Sequence, residues 1–148
     1  MIPQLHKLSG AVAFLTIASF WTSTVVAELL LDRAAIVAVK TSVPWGFLIL
    51  VPAMALAGAT GMRLARGRKA GILGAKRKRM PFIAANGLLV LIPSALFLAA
   101  KAGEGAFDTS FQVVQAIELI AGAANILLLG LNIRDGRRMT AGRRAKAA

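Results

Sequence analysis

The chain holds 148 residues, 57% of them hydrophobic and 16% charged, with a mean hydropathy of +0.71 and a formal net charge of +12. That apolar weight excludes a disordered or collagen-like chain and turns the basic excess from a nucleic-acid signal into a membrane signal. The lack of cysteine removes disulfides, zinc–thiolate sites and thiol nucleophiles, and the single histidine leaves no two-histidine site within one chain.

A helix crosses about 30 Å of hydrocarbon with roughly 20 apolar residues. Four stretches meet that requirement, at about residues 8–31, 43–62, 82–100 and 111–133. They predict an all-α, polytopic membrane protein in which a four-helix bundle takes in residues 1–148 as a single membrane domain.

The first span carries a small, weakly polar face of Ser9, Thr16, Ser19 and Ser23 and is closed by Asp32-Arg33. Val25-Val26-Ala27 resembles a signal-peptide cleavage site, but Leu29, Leu30 and Leu31 prolong the apolar run, so an intact first helix is expected. Trp21 approaches the outer interface. His6, at the other end, invites a haem reading in which Met54, Met62 or Met80 would supply a second ligand. An interfacial imidazole is satisfied by water or headgroups, so no cofactor is expected and haem is the minor alternative.

In the second span Ala34 to Val39 is also apolar, which allows an early start, a kink at Pro44 and a Lys40 near the outer boundary. Trp45 fits an outer aromatic belt. Ala53, Ala57 and Gly61 repeat every four residues, the arrangement that lets helix backbones approach, and are expected to pack within the chain. The third span starts at Pro81, where a helix tolerates proline, contains Pro93, a candidate bend, and is closed by Lys101. Asp108 or Ser110 is expected to cap the fourth helix.

The fourth span carries the most informative pattern. Phe111, Gln115, Glu118, Gly122, Asn125, Leu129 and Asn132 recur at alternating steps of four and three, placing a polar stripe on one face. Lipid cannot hydrogen-bond these groups, so the stripe should face the bundle interior or another subunit. Glu118 lies deep, where a carboxylate must be neutralised, paired with a cation or held by strong donors. Its candidate partners are Asn86, Ser94, Thr16, Ser19, Ser23, Thr24 and, snorkelling inward, Lys40 or Lys101. Glu118, Gln115, Asn125 and Asn86 therefore form the expected intramembrane polar site.

Basic residues are unevenly placed. The loop of about residues 63–80 holds Arg63, Arg66, Arg68, Lys69, Lys76, Arg77, Lys78 and Arg79. The tail 134–148 holds Arg134, Arg137, Arg138, Arg143, Arg144 and Lys146. With Lys7, fifteen of the eighteen Lys and Arg fall on one side, and the positive-inside rule then predicts both termini in the cytoplasm. Arg66, Arg68, Lys69, Lys76, Arg77, Lys78, Arg79, Arg137 and Arg138 are expected at anionic lipid headgroups, and no nucleic acid is expected as a partner. The loop glycines form neither GxxxxGK[ST] nor GxGxxG, and the sequence offers no HExxH, no GxSxG and no close carboxylate pair.

Three strings, Phe20-Trp21-Thr-Ser23-Thr24, Lys78-Arg79-Met-Pro81-Phe-Ile-Ala-Ala-Asn86-Gly87 and Gly130-Leu-Asn132-Ile-Arg134-Asp135-Gly136, resemble a family of short four-span bacterial membrane proteins. The resemblance covers almost the whole chain. It implies the bacterial inner membrane and brings no activity, substrate or catalytic residue with it. The reading is a small, non-catalytic accessory or scaffolding component, with the bilayer as partner and another membrane subunit or a second copy as candidate partners. The alternatives are a proton-coupled small-solute transporter or channel using Glu118, and, third, a haem-binding electron carrier using His6.

Overall fold

The computed structural model describes residues 1–64 and 72–145, and the side chains of 72–77 and 139–145 are outside the description. Among the described residues the regular structure is helical throughout: α1 (Ile2–Leu30), α2 (Arg33–Leu64), α3 (Ile72–Asn86), a π turn (Gly87–Leu91), α4 (Ile92–Gly103) and α5 (Thr109–Ala145). Four stretches are long and apolar enough to cross a membrane, namely Ile2–Leu30, Arg33–Leu64, Lys78–Gly103 and Thr109–Arg138.

Each helix start has a local cause. Asp32 begins α2, its Oδ1 accepting from Ala35 N at 2.9 Å. Asp108 begins α5 in the same way, with Phe111 N donating to its Oδ1 at 3.0 Å and Ser110 Oγ donating to the same atom. The expected cap is therefore Asp108, with Ser110 supporting it. The early start of the second span is also observed, and Pro44 and Pro52 both lie inside α2.

Pro93 is handled differently. A proline clashes with the carbonyl four residues before it, and here the preceding turn widens: Ile92 N donates to Gly87 O, five residues back. The π turn absorbs the proline and lets α3 and α4 continue as one span.

Contacts between helices set the topology. His6 meets Thr60, and Phe20 meets Gly46, so α1 and α2 run antiparallel. Ile36 and Val37 pack on Leu98 and Ala102, which places α4 against α2. Asn86 reaches Asn125 and Arg79 reaches Asp135, which sets α5 antiparallel to the third span. Trp21 bonds Leu119 O and closes the ring between α1 and α5. The result is an up-down-up-down bundle with a hairpin end, holding the turns near residues 32 and 105, and a basic end.

Burial is inverted relative to a water-soluble bundle. The interior is built largely from small or polar residues, including Ala13, Ala27, Ala53, Ala57, Ala95, Ser9, Thr24, Thr60 and Asn125. The outside carries Leu8, Leu15, Trp45, Leu48, Leu88, Leu89, Ile120 and Leu127, all more than half exposed. In water this surface would aggregate. In lipid it is the favoured one, because small residues let helices approach while large apolar side chains meet acyl chains. Two apolar clusters lie inside, around Ile17, Ile83 and Leu129 and around Leu98, Ala102 and Phe111.

Candidate functional site

The α5 stripe is the inner face of the bundle. Phe111, Gln115, Gly122, Asn125, Leu129 and Asn132 are all buried, and Glu118 is nearly so. Its polar members meet groups on α2 and α3.

At the basic end Asp135 accepts from Arg79 Nη1 at 2.7 Å, and Arg134 Nε lies 3.6 Å from its other oxygen. Arg79, expected at lipid headgroups, thus spends its guanidinium on a buried carboxylate, to which Arg134 adds a second, more distant cation. One turn inward Asn132 Nδ2 donates to Met80 Sδ at 3.4 Å. In mid-bundle Asn86 Nδ2 donates to Asn125 Oδ1 and to Ala121 O, both at 2.9 Å, while Asn125 Nδ2 donates to Ile83 O at 3.3 Å. Asn86, expected as a candidate partner of Glu118, bonds Asn125 instead and ties α3 to α5.

Towards the hairpin end, Trp21 Nε1 donates to Leu119 O at 2.9 Å and the indole lies on Gly122. A Cβ at Gly122 would stand 2.9 Å from Trp21 Cδ1, so the glycine is what lets the ring in. Phe20 makes the matching contact on α2, where a Cβ at Gly46 would come within 2.1 Å of its Cζ.

Glu118 is paired with Lys40 of α2. The Nζ–Oε2 separation is 2.5 Å, and the lysine side chain is 2% exposed against 14% for the glutamate. A buried ammonium on an apolar helix needs a counter-charge, and Glu118 is the group that supplies it. Of the other candidate partners, Lys101 turns instead to Asp108, at 2.5 Å, and over the Phe97 ring. Thr16 and Ser23 spend their hydroxyls on carbonyls of their own helix, Val12 and Ser19. The four residues expected to form one site therefore divide: Asn86 and Asn125 form a neutral clamp in mid-bundle, and Glu118 belongs to an ion pair nearer the hairpin end. Gln115 lies one turn beyond Glu118, 4% exposed, with both amide atoms buried and without a hydrogen-bond partner.

His6 lies in the α1–α2 seam, its Nδ1 3.1 Å from both Ala57 O and Thr60 Oγ1. Ala57 O can only accept, so Nδ1 carries the proton. The Ala53, Ala57 and Gly61 stripe serves this seam: the two alanines are buried, and a Cβ at Gly61 would meet the imidazole at 3.2 Å. Met54 packs on the Ile17 cluster and Met62 is exposed.

Outside the spans, Asp108 is held well below the usual carboxylate range, first by Lys101, then by Ser110 and the Phe111 N–H. Lys78, Arg137 and Arg138 are exposed at the basic end. Arg66, Arg68 and Lys69, and the side chains of Lys76 and Arg77, lie outside the described residues. Among the described residues, one shallow surface groove runs along α1 at Leu15, Ala18, Ser19, Thr22 and Ser23, and another lies between α1 and α2 at Leu5, Leu8, Ser9, Val12, Ala53 and Leu56. Neither is lined by Glu118, Gln115, Asn86 or Asn125.

Sequence reasoning undervalued Lys40 and Trp21. Lys40 reads as a boundary residue until the helix is seen to start at Arg33. The signal for Trp21 was Gly122, a gap in an otherwise bulky stripe that fits a large ring from a neighbour. No known protein family, characterised protein or solved structure matches the chain.

Proposed function

We propose that the protein is a small, non-catalytic component of the bacterial inner membrane, with both termini cytoplasmic, acting as an accessory or scaffolding subunit. The observation that supports this reading most is how the α5 polar face is used. Its ion pairs and amide clamps join α5 to α2 and α3, and the Trp21 indole on the Leu119 carbonyl joins it to α1, so the polar groups serve the protein's own assembly. The surface left over is an apolar flank suited to lipid or a neighbouring subunit, and a cationic end. Lys78, Arg137 and Arg138, with the basic loop, would rest on anionic headgroups, each basic residue contributing about 1 kcal/mol near the membrane surface.

The cysteine-free sequence makes the test direct. Single cysteines at Gly105 and at Arg138 are introduced and intact cells are treated with a membrane-impermeant maleimide; Gly105→Cys is expected to label and Arg138→Cys to label only after lysis. Purified wild-type protein in liposomes is expected to carry no solute flux when a pH gradient is imposed. Flux that Glu118→Gln abolishes would replace the scaffold by a transporter, and the reverse labelling pattern would overturn the orientation.

A further inference from the structure

At the hairpin end the partly buried Glu28 brings a second carboxyl group to the level of the Lys40–Glu118 pair, with one of its oxygens enclosed. We propose that this layer is a binding site for a single proton, held between the Glu28 carboxyl of α1 and the Gln115 amide of α5.

The helix contacts put these groups at one level. Trp21 meets Leu119 and Gly122, and α1 and α5 are antiparallel, so seven residues further along α1 Glu28 comes level with residues 112–115. Phe20 meets Gly46 on α2, which sets Glu28 opposite residue 38, about half a turn from Lys40. Ile36 and Val37 pack on the Phe111 cluster and Lys40 reaches Glu118, so Gln115 lies between those two contacts on the buried face of α5. Glu28, Lys40, Gln115 and Glu118 are thus one polar layer, and the field of both Lys40 and Glu118 is felt at Glu28.

Two carboxylates and one ammonium share this layer, and Lys40 is committed to Glu118. The other charged groups nearby are occupied outside it: Asp32 caps α2, and Arg33 lies over Phe107. Three atoms are left buried without a partner: Glu28 Oε1 and both Nε2 and Oε1 of Gln115. One particle resolves all three. A carboxylic acid and a primary amide are complementary, the acid O–H donating to the amide oxygen while the amide N–H donates to the acid carbonyl. The added proton also brings the layer to neutrality, the condition a low-dielectric interior favours. The structure holds no hydrogen bond between Glu28 and Gln115; in the proposed state the added proton draws these two orphaned groups together beside the ionised Lys40–Glu118 pair.

Infrared spectroscopy of the purified full chain in liposomes tests this, because a carboxylic acid has a carbonyl band separate from carboxylate bands. The wild type is expected to show one such band per chain at neutral pH, displaced to lower frequency by hydrogen bonding. Glu28→Gln, which copies the shape of the acid, is expected to remove the band while leaving Trp21 fluorescence unchanged. Gln115→Leu is expected to move it to higher frequency. Glu118→Gln is expected to remove it as well, because Lys40 then takes Glu28 as its counter-charge. A wild type with no acid band overturns the proposal whether or not any variant folds. So does a band that persists in Glu28→Gln, or one that added sodium chloride abolishes at constant pH, which would make the occupant a metal cation.

Discussion

The two ends of α5 each carry a carboxylate held by a cation from another helix, yet the pairs differ in what surrounds them. Arg79–Asp135 lies at the basic end with the arginine side chain 24% exposed and Arg134 close by, so positive charge is abundant and water is near. Lys40–Glu118 lies at the hairpin end with the lysine almost wholly enclosed and a second carboxylate in the same layer. The same chemistry is therefore reinforced by a second cation in one place and rests on a single enclosed cation in the other. What sets the difference is access to solvent and local charge balance, because a buried ion that loses its partner keeps its desolvation cost while an exposed one regains water.

Breaking the enclosed pair is expected to have the largest effect. Lys40→Met leaves Glu118 without its cation and is expected to destabilise the bundle by roughly 3–5 kcal/mol at a pH where Glu118 stays ionised. Glu118→Gln added to Lys40→Met is expected to recover most of that loss, and reversible unfolding in mixed micelles measures both. Equal losses in the single and double variants would show that Lys40 matters for its packing and not for its charge. Arg79→Gln is the matched change at the basic end. With Arg134 still beside Asp135 and solvent near, a loss of about 1 kcal/mol is expected, after discounting for exposure. A loss as large as that of Lys40→Met would erase the contrast between the ends.

The smallest effect is expected at Asp108. Because its carboxyl is held below the ordinary range in the folded protein, its contribution is present above the unfolded aspartate value, near pH 4. That contribution is lost as pH falls through the lower folded value. Asp108→Asn keeps a capping side chain but loses the charge, so it is expected to lower the melting temperature slightly at neutral pH and by less in acid, which flattens the decline. An unchanged acid profile would detach Asp108 from Lys101.

Much of this was legible in the sequence, and the limits have physical causes. The four spans, the Asp108 cap and the interior direction of the α5 stripe follow from composition and spacing, because lipid allows so few alternatives for a buried amide or an unsatisfied backbone. Glu118's true partner was one of several candidates. Periodicity places a residue on a face, but only the crossing of two helices decides that Lys40 reaches it and Lys101 does not. Arg79 was assigned to headgroups because a basic run reads as one solvated block, whereas a single member can be drawn out by a buried acid such as Asp135. Glu28 was missed as a participant because it lies near the end of its span, and burial there depends on what the neighbouring turn covers.

The π turn before Pro93 has a geometric consequence of its own. Ile83 and Ala95 are both buried although twelve residues separate them, a spacing that in an uninterrupted α-helix would set them about 120° apart. The widened turn takes up one residue without advancing the rotation, so the effective separation becomes eleven and the two side chains fall within about 20° of one another. A helical wheel drawn through residues 82–100 consequently blurs the buried face, which comes into focus once it is drawn in two parts. In this span a one-residue phase slip is already part of the native fold.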